Sequence, residues 1–326
     1  MKSNILVVAA IGVCAVALCF TPRARAGAER FSKEVAPAPI VEEPFSWTGF
    51  YIGGNLGGNW SNYHFGDYIT HVDMIDQFND ANTGGPFIFH PTAVESDGGF
   101  EGDADINTDR QEAPTGSGFI GGGQVGFQKQ WGHFVVGLEG DFDRATSKSS
   151  STFEGSDNDN LLTDGNGVAG ISPFTATAHL TSIRRADIDW TASGRGKVGW
   201  ANGHVLLYVT GGAAWANVNV WADDRVTTDF FFSEGGPPGL IGSKTDSNIS
   251  KNDDTVFGWT AGGGGELAIN DMFSIGMEYR HSNYGDHTYQ FSSNGGVITP
   301  GATNVSMEND MVVVKFNILL NHFFGH

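Results

Sequence analysis

Chemistry in this chain would have to come from one of three groups of residues. The first is an acidic run in which Asp103, Asp105, Asn107 and Asp109 alternate with other residues. Oxygen donors at every second position suit a hard cation, but the Gly and the closing Glu of a calcium loop are missing. The plainer reading is solvated loop charge. The second is His281-Ser282-Asn283. A serine nucleophile needs a base within about 2.6–3.2 Å, and adjacent residues on a strand point to opposite faces. His281 and Ser282 are therefore expected to diverge, and the tripeptide reads as a hinge after a strand. The third group is a set of ionisable residues set singly into otherwise apolar segments: Glu139, Asp141, Arg195, Lys197, Glu266, Glu278, Arg280 and Lys315.

Other candidates fail on spacing. His64, His71 and His90 share one long stretch without the close spacing of a metal site, and His322 and His326 are an isolated pair. Gly262, Gly263, Gly264 and Gly265 precede Glu266 with no helix and no Lys-Ser/Thr after them, so they are not a phosphate loop. They are better read as sites of strand curvature or close packing. No catalytic residue, metal ligand or cofactor site is expected, and the chain reads as a non-enzyme.

The ionisable group lies on segments that alternate with period two. Residues 47–60 put Phe50, Ile52, Leu56 and Trp60 on one face and Tyr51, Asn55 and Asn59 on the other. Residues 118–130 set Phe119, Val125 and Phe127 against Gln124, Gln128 and Gln130. Next, Phe134, Val136, Leu138 and Phe142 oppose Glu139, Asp141 and Asp143. Ile188, Trp190, Ala192 and Val198 then oppose Asp189, Thr191, Ser193, Arg195 and Lys197. Residues 205–215 are apolar on both faces. Phe257, Trp259, Ala261, Leu267 and Ile269 oppose Thr260 and Glu266, and Phe273, Ile275, Met277 and Tyr279 oppose Glu278 and Arg280. Finally, Val312, Val314, Phe316, Ile318 and Leu320 oppose Lys315, Asn317 and Asn321.

Strand side chains alternate between faces, so the shared parity of nearly all these charges leaves one face apolar. A charge on a lipid face costs about 2–4 kcal/mol at mid-bilayer, so a membrane wall must show this exclusion. Lys129 is the exception, beside a turn where it can reach the headgroups. A soluble sandwich alternates too, but the connections decide. Long stretches at 61–115, 144–182, 221–254 and 281–307 alternate with short ones at Trp131-Gly132-His133, Asn202-Gly203 and Asn270-Asp271. Asn202-Gly203 is expected to form a type I′ turn. Long extracellular loops and short periplasmic turns are the habit of outer-membrane barrels, and a sheet within lipid must close on itself. The predicted fold is all-β: an eight-stranded antiparallel transmembrane barrel.

Composition agrees. The 326 residues include 47 Gly and 24 Phe but only 17% charged residues, against about 25% in ordinary soluble domains. No apolar run beyond the N-terminus is long enough for a membrane helix. A net charge of −19 speaks against nucleic acid as a partner. Lys2, the apolar stretch 5–20 and Ala24-Arg25-Ala26 read as an export signal over residues 1–26. Both cysteines, Cys14 and Cys19, fall inside it, so the mature chain would have neither disulfide nor thiolate chemistry. Residues 27–46, with Pro37, Pro39 and Pro44, read as an extended periplasmic spacer, and 47–326 as the barrel.

Three motifs carry a resemblance. Trp47-Thr48-Gly49-Phe50-Tyr51-Ile52-Gly53-Gly54, Tyr208-Val209-Thr210-Gly211-Gly212 and Glu278-Tyr279-Arg280 resemble the strands of small alphaproteobacterial outer-membrane proteins, the porin-family or outer-membrane immunogenic proteins with OmpA-like barrels. The resemblance implies an abundant surface protein of the Gram-negative outer membrane, with roles in envelope integrity and host contact. Such proteins usually end on an aromatic residue read by the barrel-assembly machinery, whereas here Phe323-Phe324 is followed by Gly325-His326. Expected partners are outer-membrane lipids and lipopolysaccharide, the assembly machinery during insertion, and host or peptidoglycan surfaces. A barrel of about eight strands is just wide enough to be filled by side chains, so the inward charges are expected to pair and plug the lumen. A small aqueous pore gated by the same charges is the alternative, and a lipid A-modifying enzyme a third.

Overall fold

The computed structural model of the chain describes residues 45–66, 68–74, 103–107, 115–161, 174–233, 237–293 and 296–320. The export signal, most of the spacer, His90, Asp109, Asn321 and the C-terminal His322 to His326 lie outside the described residues. The chain divides into two compact units, Met1–Ser46 and Trp47–His326.

Eight strands of the second unit close into a ring. They are β1 (Gly49–Phe65), β4 (Thr115–Trp131), β5 (Phe134–Leu161), β6 (Phe174–Asn202), β7 (Val205–Phe232), β8 (Gly239–Ala268), β9 (Phe273–Tyr289) and β11 (Thr303–Leu319). Closure is through β1, which pairs antiparallel with β4 on one side and with β11 on the other. Three short strands, β2 (Ile69–Asp73), β3 (Asp103–Asn107) and β10 (Ile298–Thr299), form a separate sheet in the order β10-β2-β3.

The period-two pattern translates directly into the wall. Phe119, Leu138, Phe142, Val209, Phe257 and Met277 point outward and are exposed, as lipid-facing residues of a barrel must be. Lys129 also points outward, its ammonium 5.3 Å from the centre of the Trp131 ring at the periplasmic rim. The segment 205–215 resolves into two faces: Leu206, Tyr208 and Thr210 are buried, while Leu207 and Val209 are exposed.

Three expectations need correction. The stretches 144–182 and 221–254 are not mainly loops. The β5–β6 ladder continues past the membrane belt to Leu161↔Phe174, and the β7–β8 ladder to Phe232↔Gly239, each with one register shift. Serine- and threonine-rich polar sequence there hid a solvated sheet, because its outward face meets water and shows no apolar alternation. Its inward face does carry an apolar stripe, where Leu180, Val226 and Phe230 pack with Val72, Ile106 and Ile298 of the small sheet and with Met74 just after β2.

The second correction concerns Ile188 and Asp189. Between Ile188↔Val218 and Trp190↔Asn217 the register shifts, and opposite it β5 carries a shift between Arg144 and Ser147. The bulge inverts the parity of β6, so Ile188 is buried and Asp189 exposed, the reverse of a straight strand. The third is the turn. Asn202 pairs with Val205, so the loop residues are Gly203 and His204. Only Gly203 has positive φ, at 56°, which is the pattern of a type II′ turn rather than I′. Gly132-His133 repeats it, with Gly132 at 61°.

Candidate functional site

The barrel wall is thin, and its inward positions bring side chains from all eight strands to one level. β5 supplies Glu139, Asp141 and Asp143; β6 supplies Arg195 and Lys197; β8 supplies Glu266; β9 supplies Glu278 and Arg280; β11 supplies Lys315. β1, β4 and β7 add Tyr51, Gln124 and Tyr208. All eight ionisable residues named from the sequence are buried, and every one belongs to a single connected set of ion pairs.

Arg195 is the hub. Its guanidinium donates to Glu139, to Glu278 and to Asp141, the last at 2.8 Å. Lys315 donates to both oxygens of Glu139 at 2.7 Å and to Glu278 at 3.2 Å. Lys197 sits 3.2 Å from Glu139 and 3.1 Å from Glu266. Arg280 holds Asp141 at 2.8 Å and Glu278 at 3.1 Å. Charges removed from water in this way are tolerable only when both partners are fully hydrogen-bonded. Neutral groups add to the shell: Tyr51 donates to Glu139 at 2.6 Å, Tyr208 to Glu278 at 2.9 Å, and Ser193 to Asp141 at 2.6 Å. Asn317 reaches Glu266 at 3.1 Å.

Three members escaped the candidate list. Asp143 shares the parity of Asp141 and could have been included on that ground. Tyr51 and Tyr208 share the inward parity too, but an inward aromatic gives no hint that its hydroxyl meets a carboxylate across the barrel. Their rings also lie under the Lys197 ammonium, 4.9 Å and 4.4 Å from it.

Buried side chains lie on both sides of the layer. Below it, Trp47 is fully buried; its main-chain N–H donates to Gln130 at 2.8 Å and its indole N–H to the Gly203 carbonyl at 3.1 Å. Above it, Tyr63, Ile120, Ile188, Val218, Met307 and Met311 belong to one apolar cluster inside the barrel.

The His281-Ser282 pair diverges. Ser282 is buried and donates to Thr260 at 3.0 Å. His281 pairs instead with Asp310 at 2.9 Å, which also accepts from the outward Tyr279 at 2.7 Å. His71 lies 2.9 Å from Asp105 on the small sheet. Among the described residues no cluster of three His, Cys, Asp or Glu has metal-binding geometry.

A closed antiparallel ring with an apolar outer belt and a charged interior defines an outer-membrane β-barrel. No family model matches the chain. It is 26% identical over 287 residues to the 31 kDa outer-membrane immunogenic protein of Brucella melitensis, covering 87% of this chain and 88% of the relative. The Brucella suis protein of the same name matches equally. Among solved structures, Ail, the attachment invasion locus protein of Yersinia pestis, crystallised with the heparin analogue sucrose octasulfate, aligns over 82% of this chain and 99% of its own, at 11% identity and a TM-score of 0.24. Neisserial surface protein A aligns over 82% of this chain and 96% of its own, at 9% identity and a TM-score of 0.23. The chain is thus an outer-membrane protein, homologous to the Brucella outer-membrane immunogenic proteins over most of its length.

Proposed function

We propose that this protein is a non-enzymatic structural and surface-interaction component of the outer membrane, with a lumen plugged by its own charged side chains. The observation that carries the reading is the burial of the charge layer. Glu278 and Arg195, at 0% and 2% exposure, touch partners from opposite walls, which supports a filled lumen. A diffusion pore would need those charges to face solvent. The apolar cluster above and Trp47 below favour the same conclusion.

An enzymatic role has little to stand on, since Ser282 and His281 face opposite sides of the wall and bond to different partners. What remains for interaction is the sheet of β5 to β8 beyond the membrane belt, together with the small sheet that packs on it. Lipopolysaccharide and host surfaces are the contacts this exposed architecture fits, in keeping with the name of the Brucella relatives. Residues 1–26 act as the export signal and 27–46 as a periplasmic spacer, with the assembly machinery and peptidoglycan as the periplasmic partners.

The test is ion conductance of the folded protein in a planar lipid bilayer, alongside Glu278→Gln and Arg280→Gln. The expected result is no discrete current steps from the wild type. Reproducible steps whose size changes in the two variants would overturn the plug and favour a small pore.

A further inference from the structure

The charge layer does not balance. Its buried carboxylates are Glu139, Asp141, Asp143, Glu266 and Glu278, and its buried cations are Arg195, Lys197, Arg280 and Lys315, leaving one negative charge in excess. The excess is localised. Each of the other carboxylates has a cation within hydrogen-bond distance. Asp143 has only Arg280, whose Nη1 lies 3.8 Å from Oδ2 and is committed to Asp141 at 2.8 Å. A buried carboxylate without a close counter-charge is costly, so it is neutralised either by a proton or by a cation.

The surroundings indicate which. Asn55, Asp143 and Thr191 lie on one rung of the barrel: Asn55 pairs with Gly122, Gly122 with Asp143, and Asp143 with Thr191. All three point inward and are at most 7% exposed. Each has an oxygen without a hydrogen-bond partner, namely Asn55 Oδ1, Asp143 Oδ2 and Thr191 Oγ1. The Asn55 amide is already spent, donating to Gln124 at 3.0 Å and to Asp143 Oδ1 at 2.8 Å. Gly122 leaves room for the Asp143 carboxylate, since a Cβ there would fall 2.4 Å from Asp143 Oδ1 and 2.0 Å from the Phe142 carbonyl.

We propose that this rung binds a sodium ion through Asp143 Oδ2, Asn55 Oδ1 and Thr191 Oγ1, which completes the charge balance of the plug. An all-oxygen donor set is the preference of hard cations. The deficit is one charge, so a monovalent ion cancels it, whereas a divalent ion would leave an excess beside Arg280. Water alone would satisfy the oxygens but not the charge. The proposal rests on the plugged-lumen reading, because in a hydrated bore Asp143 would be screened.

The experiment uses protein extracted from outer membranes into detergent. Its unfolding is followed by heat-dependent gel migration and by urea titration, in sodium chloride against choline chloride at equal ionic strength. The wild type should gain stability saturably with sodium. Asp143→Asn, which removes the excess charge, should fold normally and lose that dependence. Thr191→Val should keep it but need severalfold more sodium. A wild type indifferent to sodium overturns the ion; if its stability in choline instead falls as pH rises, a proton on Asp143 fills the role. Conductance of the same sample separates the two readings. Current steps would defeat the plug itself, whereas sodium indifference without steps would defeat only the ion.

Discussion

Replacing Arg195 by methionine removes the hub of the charge layer while keeping much of its volume. Glu139 would retain Lys315 at 2.7 Å and Lys197 at 3.2 Å, Asp141 would retain Arg280 at 2.8 Å, and Glu278 would retain Arg280 and Lys315. Each carboxylate thus keeps a partner, but the layer becomes one charge more negative in a space with almost no solvent. Breaking a buried pair from one side costs about 3–5 kcal/mol, which is two to more than three orders of magnitude in the folding equilibrium. If the same groups merely lined water, the loss would be about 0–1 kcal/mol. Urea unfolding of the barrel in phospholipid vesicles, followed by tryptophan fluorescence, separates these ranges. Arg195→Met with Glu139→Gln should cost less than the sum of the single variants, because the second change removes a charge the first left short. A loss under about 1 kcal/mol with simple additivity would refute the buried network.

Three further outcomes follow from the fold. Leu138→Arg places a cation on the outward face of β5, and should destabilise the barrel in vesicles by about 2–4 kcal/mol by the same urea titration. Gly203→Ala forces a Cβ into a left-handed conformation at φ 56° and should cost about 1–2 kcal/mol, read as a lowered urea midpoint with unchanged slope. Trp47→Ala removes a fully buried side chain at the periplasmic end; a loss of about 3–5 kcal/mol is expected, and protection of that end from proteolysis should fall with it.

How much of this was legible in the chain depends on what each feature is made of. The outward and inward faces of the membrane belt were legible because lipid permits no charge on one of them, as Leu138 beside Glu139 illustrates. The same rule fails beyond the belt. Thr181, Arg225 and Ser247 form a rung of strand beyond the bilayer, yet polar residues facing water look alike in a strand and in a loop. Parity also breaks at Asp189, since a bulge leaves no mark in residue types.

The sequence by itself determined the class of fold, most strand faces within the membrane belt and the identity of eight buried charges, because alternation and exclusion of charge act residue by residue along one strand. Only the tertiary structure decided which charges meet. Arg195 and Glu278 are 83 residues apart, and Lys315 and Glu139 are 176 apart. Their pairing depends on the stagger with which eight strands close, and so does the gathering of Asn55, Asp143 and Thr191 onto one rung. Register is a property of the closed ring, and no single strand contains it.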